Sequence, residues 1–297
     1  MKIKHLLHTE INLQQWDTCL QNATNSLVYA ESWYLDIVSP NWEALVSEDY
    51  EYVMPLPVKR KFGIPFVVQP PLTQQLGIFS SHRIDENMVE LFIQKTPYKS
   101  YHLNFNEQNP CNKGVKKSNS ILNLSRDYET IFFAYSQNTK RNIKKTQQNN
   151  IEIKTNVPIN DFLEFYYSIE KNYRELPKTK VILLLQASLI NDKATIYGAY
   201  NEDNELVSAL CLLYSNQRLI YLLPVSNKEG KESLAMFKLV DEIIRKYANS
   251  NLILDFEGSN VKNIARFYES FGAEHNYYYE IKCWSINDFI KHLYFWK

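Results

Sequence analysis

The feature that most constrains the fold of this chain is an order of predicted elements that occurs once in each half. Each half contains an acidic turn between two apolar strands, VSEDYEYVMPL at Val46–Leu56 and AYNEDNELVSAL at Ala199–Leu210. In each half a predicted helix then leads into a short strand of similar pattern, YHLNF at Tyr101–Phe105 and LILDF at Leu252–Phe256. The repeat predicts two tandem copies of one α+β domain.

The spacing of apolar residues predicts a mixed, mostly antiparallel sheet flanked by helices in each copy. In the second copy, helices predicted at Ile159–Tyr173 and Val181–Ile190 precede three strands and a long amphipathic helix. We assign residues 1–150 to an N-terminal domain and residues 151–297 to a C-terminal domain. The N-terminal domain is expected to end in a basic linker helix that carries Lys140, Arg141, Lys144 and Lys145.

Composition limits the classes of function. The chain of 297 residues has 33 basic and 33 acidic residues, which argues against a basic surface over the whole protein. The four cysteines show no CxxC or His-Cys spacing, so we expect neither a metal site nor a disulfide framework. No signal peptide and no apolar run long enough to span a bilayer are visible, which predicts a cytoplasmic protein. The oligomeric state stays open.

The loop before the long helix is a candidate site for a phosphate-bearing ligand. A helix N-terminus offers unpaired N–H groups and a partial positive charge, which suit a pyrophosphate. Gly230 would let the backbone approach the ligand, and Lys228 and Lys231 would add charge, with Glu232 and Ser233 completing the loop. The alternative is a polar turn that only caps a helix.

The end of the strand LILDF is the second candidate. Glu257 follows the strand, where a carboxylate can face a cleft and accept a proton from an attacking amine. Tyr268, on the next helix, is a candidate proton donor for a departing thiolate. Asp255 is expected to be structural, because it lies deeper in the sheet. The alternative makes Tyr268 a packed aromatic residue and Glu257 a solvated turn residue.

In the first copy the stretch QPPLTQQLG is unusual, because amides and prolines cluster after a strand. Such a loop is rigid and rich in hydrogen-bonding groups. We predict that Gln74 and Gln75 bind the acceptor substrate there, with a rigid structural connection as the alternative.

Taken together, these elements resemble the GNAT acyltransferase superfamily. The order of elements over residues 151–282 is similar to that fold, and the stretch from Phe267 to Gly272, FYESFG, resembles the family's tyrosine-bearing helix end. The duplicated order, and NTKRNIKKTQQNNIEIK at the join, resemble the tandem FemAB-like branch. The family's phosphate loop is reduced here to Gly230, with Ser233 in place of a second small residue, and the first copy has no tyrosine helix.

The resemblance implies transfer of an acyl group from an acyl-CoA thioester, such as acetyl-CoA, to a small-molecule amine. It places the donor beside Leu222, Leu223 and Val225, and places the general acid at Tyr268. The first domain is then a degenerate copy with an acceptor-binding or structural role. The alternative is a FemAB-like transfer from aminoacyl-tRNA to a cell-wall precursor, with tRNA held by the basic helix. A further alternative is a non-catalytic GNAT-fold protein that binds a small molecule.

Overall fold

The computed structural model describes residues 1–170, 176–258 and 261–283. Contacts between Cα atoms divide the chain into two compact units. Of the described residues, unit 1 contains 1–117 and 277–283, and unit 2 contains those between 118 and 276.

The described residues of unit 1 form one four-stranded sheet, four strands of a second sheet and three helices. In chain order its elements are β1 (Ile3–Leu6), α1 (Leu13–Asn22), α2 (Ser32–Val38), β2 (Glu43–Ser47), β3 (Tyr52–Leu56), β4 (Val58–Lys61), β5 (Ile64–Val68), β6 (Phe79–Ser80), α3 (Glu86–Lys95) and β7 (Tyr101–Phe105), with short 3-10 helices at His8–Glu10 and Val28–Ala30. Strands β1, β2, β3 and β6 form an antiparallel sheet.

Unit 2 is built around a larger sheet. Its elements are β8 (Val115–Asn123), α4 (Tyr128–Ala134), α5 (Gln137–Gln148), β9 (Glu152–Thr155), α6 (Ile159–Ser168), α7 (Lys178–Ile190), β10 (Ala194–Tyr200), β11 (Leu206–Ser215), β12 (Arg218–Ser226), α8 (Lys228–Glu232), α9 (Ala235–Tyr247), β13 (Ile253–Asp255) and α10 (Lys262–Glu269). The last strand, β14 (Glu274–Cys283), lies mainly in unit 1. Residues 171–173, at the end of the helix predicted to reach Tyr173, lie outside the described residues.

Each unit contains the same arrangement of three strands. In unit 1, β5 and β7 are parallel and β14 pairs antiparallel with β7. In unit 2, β12 and β13 are parallel and β8 pairs antiparallel with β13. The predicted α+β fold with mostly antiparallel, mixed sheets is therefore confirmed. Strands β1 and β8 were not predicted from the sequence, because apolar and polar residues do not alternate regularly in them.

The division of the chain differs from the predicted boundary at residue 150. Helix α5, which we assigned to the first domain as a linker, buries Thr139, Ile143 and Thr146. Ile143 packs in the core of unit 2 with Leu239 and Leu254. This buried face was not predicted, because two of its three residues are threonines, which are only weakly apolar, and basic residues lie between them.

The long helix α9 contributes one apolar face to the core of unit 2. Its buried residues recur at helical spacing, as predicted, and include Leu239, Val240, Ile243 and Ile244. This face covers strands β10 and β11, so burial of apolar area fixes the helix against the sheet. Among the described residues, no helix combines the length and apolar character that a bilayer span requires.

Candidate functional site

The candidate site of unit 2 lies where the pairing of two parallel strands ends, a place that we call the gap. Strands β12 and β13 pair from Arg218↔Ile253 to Ile220↔Asp255, and the register ends there. Strand β12 continues to Ser226, so its next residues have no neighbouring strand on the β13 side within the described chain. Backbone groups on such an open edge can bind an extended ligand.

A bulge in β12 lies within this open stretch. The pairing of β12 with β11 shifts between Ala209↔Val225 and Cys211↔Leu222. Leu223 takes a positive φ of 53°, an unusual backbone conformation for a residue with a branched side chain. A bulge bends its strand and redirects backbone groups, so the edge formed by Leu222, Leu223 and Val225 is turned away from regular pairing. These are the residues predicted to contact the donor.

Three aromatic rings line the base of the gap. Phe256, directly after β13, stacks on Tyr268 with ring centroids 4.7 Å apart and an interplanar angle of 19°. Tyr221 of β12 meets Tyr268 edge to face at 5.7 Å. Burial, with a contribution from nearby Tyr268, raises the pKa of Tyr221 well above its usual value, so Tyr221 stays protonated. The structure thus brings Tyr268 to the strand end where it was predicted.

Tyr268 is also a packed residue, with 6% of its surface exposed. Both hypotheses for Tyr268, the packed aromatic residue and the proton donor, are compatible with a buried ring. They differ only in the role that they give to the hydroxyl group.

Glu257 lies one residue beyond Phe256 and is half-buried. Both Glu257 and Gly258 have left-handed backbones, with φ of 58° and 61°. The Glu257 N–H donates to Oδ1 of Asp255 at 2.8 Å. A Cβ atom on Gly258 would lie 2.4 Å from the Ser118 carbonyl oxygen of β8, so only glycine fits against this strand.

Asp255 is structural, in agreement with the sequence analysis. It is 1% exposed, and its carboxylate accepts a hydrogen bond of 2.6 Å from Nη1 of Arg218. Arg218 begins β12 and Asp255 ends β13, so this buried pair joins the two ends of the register of these strands. The sequence analysis missed Arg218. The signal for it was a single charged residue that opens an otherwise apolar strand.

The loop predicted to bind pyrophosphate has a different internal structure. The Asn227 side chain caps α8 and accepts the Gly230 N–H at 2.7 Å, so this amide is already used. A Cβ atom on Gly230 would lie 2.1 Å from the Val207 carbonyl oxygen. The glycine therefore allows a close approach to strand β11, whereas we had predicted an approach to a ligand.

The other predicted loop residues differ in exposure. Lys228, Lys231 and Glu232 are exposed, and the Lys228 ammonium lies 3.9 Å from the Glu232 carboxylate. Ser233 is half-buried, and its hydroxyl oxygen has no hydrogen-bond partner within the described structure. The loop presents charge to solvent, but it does not present a free amide at Gly230.

The corresponding gap of unit 1 is filled by its own chain. The parallel pairing of β5 with β7 covers Val67↔Tyr101 and Val68↔His102. The segment that follows β5, from Gln69 to Leu76, then runs beside β7 without forming a regular strand. The Gln69 side chain accepts the Asn104 N–H at 3.0 Å, and the Leu76 N–H donates to the Asn104 carbonyl at 2.8 Å. The segment from Gln69 to Leu76 therefore covers the edge of β7 that follows its pairing with β5.

Gln74 and Gln75 belong to this filling segment. Gln75 is 0% exposed, and its side chain accepts the Glu107 N–H at 2.9 Å and donates to the Gln74 side chain at 2.8 Å. Gln75 therefore connects two segments of unit 1 and does not reach solvent. Gln74 is half-buried, and its carbonyl accepts a bond of 2.8 Å from the Asn104 amide. Of the two, Gln74 is the one accessible to a ligand.

The basic residues of α5 separate into two groups. Lys140 is half-buried and donates to the Phe133 carbonyl at 2.8 Å, with its ammonium over the Phe133 ring. Arg141, Lys144 and Lys145 are exposed and lie at i, i+3 and i+4, on one face of the helix. Among the described residues, no group of acidic, histidine and cysteine side chains could hold a metal ion.

No protein-family model matches the chain, and no curated protein matches it. Solved structures do. FemX has a TM-score of 0.68 at 8% identity, covering 99% of this chain and 100% of the FemX chain. The C-terminal domain of a putative lysylphosphatidylglycerol synthetase from Agrobacterium fabrum has a TM-score of 0.55 at 7% identity, with 95% of each chain covered. L-PGS from Bacillus licheniformis has a TM-score of 0.51 at 11% identity, covering 87% of this chain and 90% of that one.

At these identities the likeness concerns the fold. The chain has an α+β fold that it shares with FemX over nearly its whole length.

Proposed function

We propose that this chain is an acyltransferase that moves an acyl group from an activated donor to an amine, in the gap between β12 and β13. The observation that supports the proposal best is that the pairing of these two parallel strands ends at Ile220↔Asp255 while β12 continues to Ser226, with Tyr268 stacked on Phe256 at the end of β13. An open strand edge offers hydrogen bonds to an extended donor arm, and the end of β13 supplies acid–base groups beside it.

The proposed chemistry needs one base and one acid. The amine nitrogen attacks the acyl carbon, and Glu257 takes the proton that the ammonium must lose. The bond from the acyl carbon to sulfur or oxygen then breaks, and the Tyr268 hydroxyl gives its proton to the leaving group. Glu257 is half-buried at the strand end, and Tyr268 stacks on the residue before it, so both groups belong to one end of β13.

We propose acyl-CoA, such as acetyl-CoA, as the first candidate donor and a small amine or amino sugar as the acceptor. The open edge from Leu222 to Val225 suits an extended pantetheine arm. The pyrophosphate would need amides other than that of Gly230, because Asn227 already accepts this N–H. Acceptor recognition is assigned to unit 1, where Gln74 is the accessible amide.

Aminoacyl-tRNA is the second candidate donor, and two observations favour it. Arg141, Lys144 and Lys145 form an exposed basic face on α5, and such a face suits phosphates of a nucleic acid. The chain also shares its fold with FemX along its full length. In this case the acceptor would be an amine of a cell-wall precursor.

A binding and turnover experiment separates these candidates. Thermal unfolding would be followed with acetyl-CoA, free CoA, uncharged tRNA and aminoacyl-tRNA, because a ligand of the native state raises the melting temperature by mass action. Formation of an amide on a panel of amines would be measured in parallel. Stabilisation by acetyl-CoA with amide formation supports the first donor, and stabilisation by tRNA that weakens with salt supports the second. Stabilisation without turnover would identify a binding protein, and no response to any donor would contradict the proposal.

A further inference from the structure

A serine, a histidine and a glutamate of unit 2 form a row of close polar contacts that the proposed mechanism does not use. The Ser118 hydroxyl oxygen lies 3.3 Å from Nδ1 of His275, and Nε2 of His275 lies 3.3 Å from Oε1 of Glu269. The two imidazole nitrogens therefore face different partners. When Nε2–H donates to the carboxylate, Nδ1 carries the lone pair and accepts the serine O–H.

Local structure places the three residues together. Glu269 directly follows Tyr268 at the end of α10, and His275 lies two residues into β14 after the turn at Gly272. Gly272 has a φ of 81°, which allows the sharp reversal between the helix and the strand. Ser118 lies on β8, so the row connects the α10–β14 segment to the strand beside β13.

Ser118 is next to the candidate site. The Phe256 N–H donates to the Ser120 carbonyl at 2.9 Å, which continues the β8–β13 pairing past Asp255. The Ser118 carbonyl then packs against Gly258, where a Cβ atom would approach to 2.4 Å. The serine thus lies beside the residue that follows Glu257. Half of the His275 side chain is exposed, so the row is accessible to a substrate.

We propose that Ser118 is a nucleophile that carries the acyl group, with His275 as its base and Glu269 as a positioning residue. A hydroxyl is a weak nucleophile until an adjacent imidazole accepts its proton, and a carboxylate on the other nitrogen fixes the required tautomer. The proposal deepens the proposed function, on which it rests for the identity of the acceptor.

The transfer then takes two steps. In the first, the Ser118 oxygen attacks the acyl carbon of an ester or thioester, its proton passes to His275, and the bond to the leaving oxygen or sulfur breaks. The leaving group takes up the proton of the Tyr268 hydroxyl, and an O-acyl serine remains. In the second, the amine attacks the acyl carbon and Glu257 takes its proton. The bond to the Ser118 oxygen breaks, that oxygen regains its proton from His275, and the proton on Glu257 returns to Tyr268 through solvent. No oxidant, reductant or metal is needed.

The experiment uses the full-length chain with p-nitrophenyl acetate and acetyl-CoA as acyl donors. Release of p-nitrophenol is followed with time, and the protein is then digested and analysed by mass spectrometry for an acetyl group on Ser118. The variants are Ser118→Ala, His275→Ala and Glu269→Gln, with Ser125→Ala as the matched control. Ser125 is an exposed serine of the same unit, beyond the end of β8.

We expect acetylation at Ser118 in the wild type and in Ser125→Ala, and its loss in Ser118→Ala. The rate of p-nitrophenol release should fall by about 10²-fold or more in Ser118→Ala and His275→Ala, the usual range for loss of general acid–base help. Glu269→Gln should lower kcat with an unchanged KM and an unchanged melting temperature, whereas a purely structural role would change the melting temperature.

The proposal is overturned if the wild type gains no acetyl group on Ser118, or if Ser118→Ala releases p-nitrophenol as fast as the wild type. Amide formation from acetyl-CoA or aminoacyl-tRNA with full activity in Ser118→Ala would leave the proposed function standing and remove only the serine step. Acetylation of Ser118 with no amide product from any donor would support the serine step and contradict the proposed transfer to an amine.

Discussion

At the scale of single residues, the proposed function depends most on the hydroxyl group of Tyr268. Tyr268→Phe keeps the ring that stacks on Phe256 and removes only the proposed proton donor. We expect kcat for amide formation to fall by roughly 10²–10⁴-fold, with little change in melting temperature. Phe267→Leu, on the same helix, is the matched control for packing. Full activity of Tyr268→Phe would reduce Tyr268 to a packed aromatic residue.

Gly230 should behave as a structural residue. In Gly230→Ala the new methyl group would meet the Val207 carbonyl of β11, so we expect a loss of stability of about 1–3 kcal/mol, the usual range for overpacking. Chemical denaturation would measure it, with Glu232→Ala on the exposed face of α8 as the control. A stable Gly230→Ala protein with weakened donor binding would instead restore the pyrophosphate interpretation of this loop.

These two residues show how far the sequence could predict the site. Tyr268 was predicted from its position four residues before Gly272 on a helix after the strand, and the structure places its ring at the strand end, while its catalytic role stays a prediction. Gly230 was predicted to allow the approach of a ligand, whereas its close neighbour is Val207 of a strand distant in sequence. Sequence patterns report local geometry and leave out contacts across a sheet, and Arg218 and Ser118 were missed for the same reason.

At the scale of elements, strands β7 and β14 carry a carboxylate held by three basic side chains. Glu280 of β14 lies 2.8 Å from Lys282, 2.8 Å from His102 of β7 and 3.2 Å from Lys117. Burial alone would raise its pKa, but hydrogen bonds from Lys282, His102 and Lys117 lower the pKa of Glu280 to about 2.

The pH dependence of stability follows from this lowered pKa. The folded state holds the Glu280 charge more favourably than the unfolded state, so the contribution is complete above the ordinary pKa of 4.5 and is lost as the pH falls towards 2. We expect Glu280→Gln to melt at a lower temperature than the wild type at pH 7, and the difference to shrink below pH 4.5. Glu274→Gln, exposed on the same strand, should match the wild type throughout. An equal effect of Glu280→Gln at pH 7 and pH 3 would refute the assignment.

Substitutions in helix α5 test whether aminoacyl-tRNA is the donor. Changing Arg141 and Lys144 to Glu reverses charge on its exposed face without touching the buried Ile143. If tRNA binds there, its affinity should fall, and the slope of log affinity against log salt should become shallower. The affinity for acetyl-CoA should not change. Binding titrations at several salt concentrations measure both quantities, with Gln148→Glu as a control on the same helix. Unchanged tRNA binding by the double variant would remove α5 from the donor site.

At the scale of the whole molecule, the repeat predicted the duplication correctly but not its boundaries. The repeated order of a helix and a short strand identified β7 and β13, which occupy equivalent places in the two units. The strand that pairs with each of them comes from an unexpected part of the chain, because β14 completes unit 1 and β8 completes unit 2. Strands β7 and β14 are far apart in sequence, so no local pattern predicts their pairing.

The two units differ at equivalent places beside their parallel strands. In unit 1 the segment from Gln69 to Leu76 fills the gap beside β7, whereas in unit 2 the edge of β12 beyond Ile220 is open. The donor should therefore bind unit 2 alone.

Hydrogen–deuterium exchange with mass spectrometry tests that claim most directly. Exchange would be measured in the full-length chain with and without acetyl-CoA, and with and without aminoacyl-tRNA, at concentrations that calorimetry shows to be saturating. We expect slower exchange in peptides that cover residues 221–226 and 254–258, and no change in peptides that cover residues 69–76. Saturating donor that leaves the exchange of residues 221–226 unchanged, or that protects residues 69–76 instead, would contradict it.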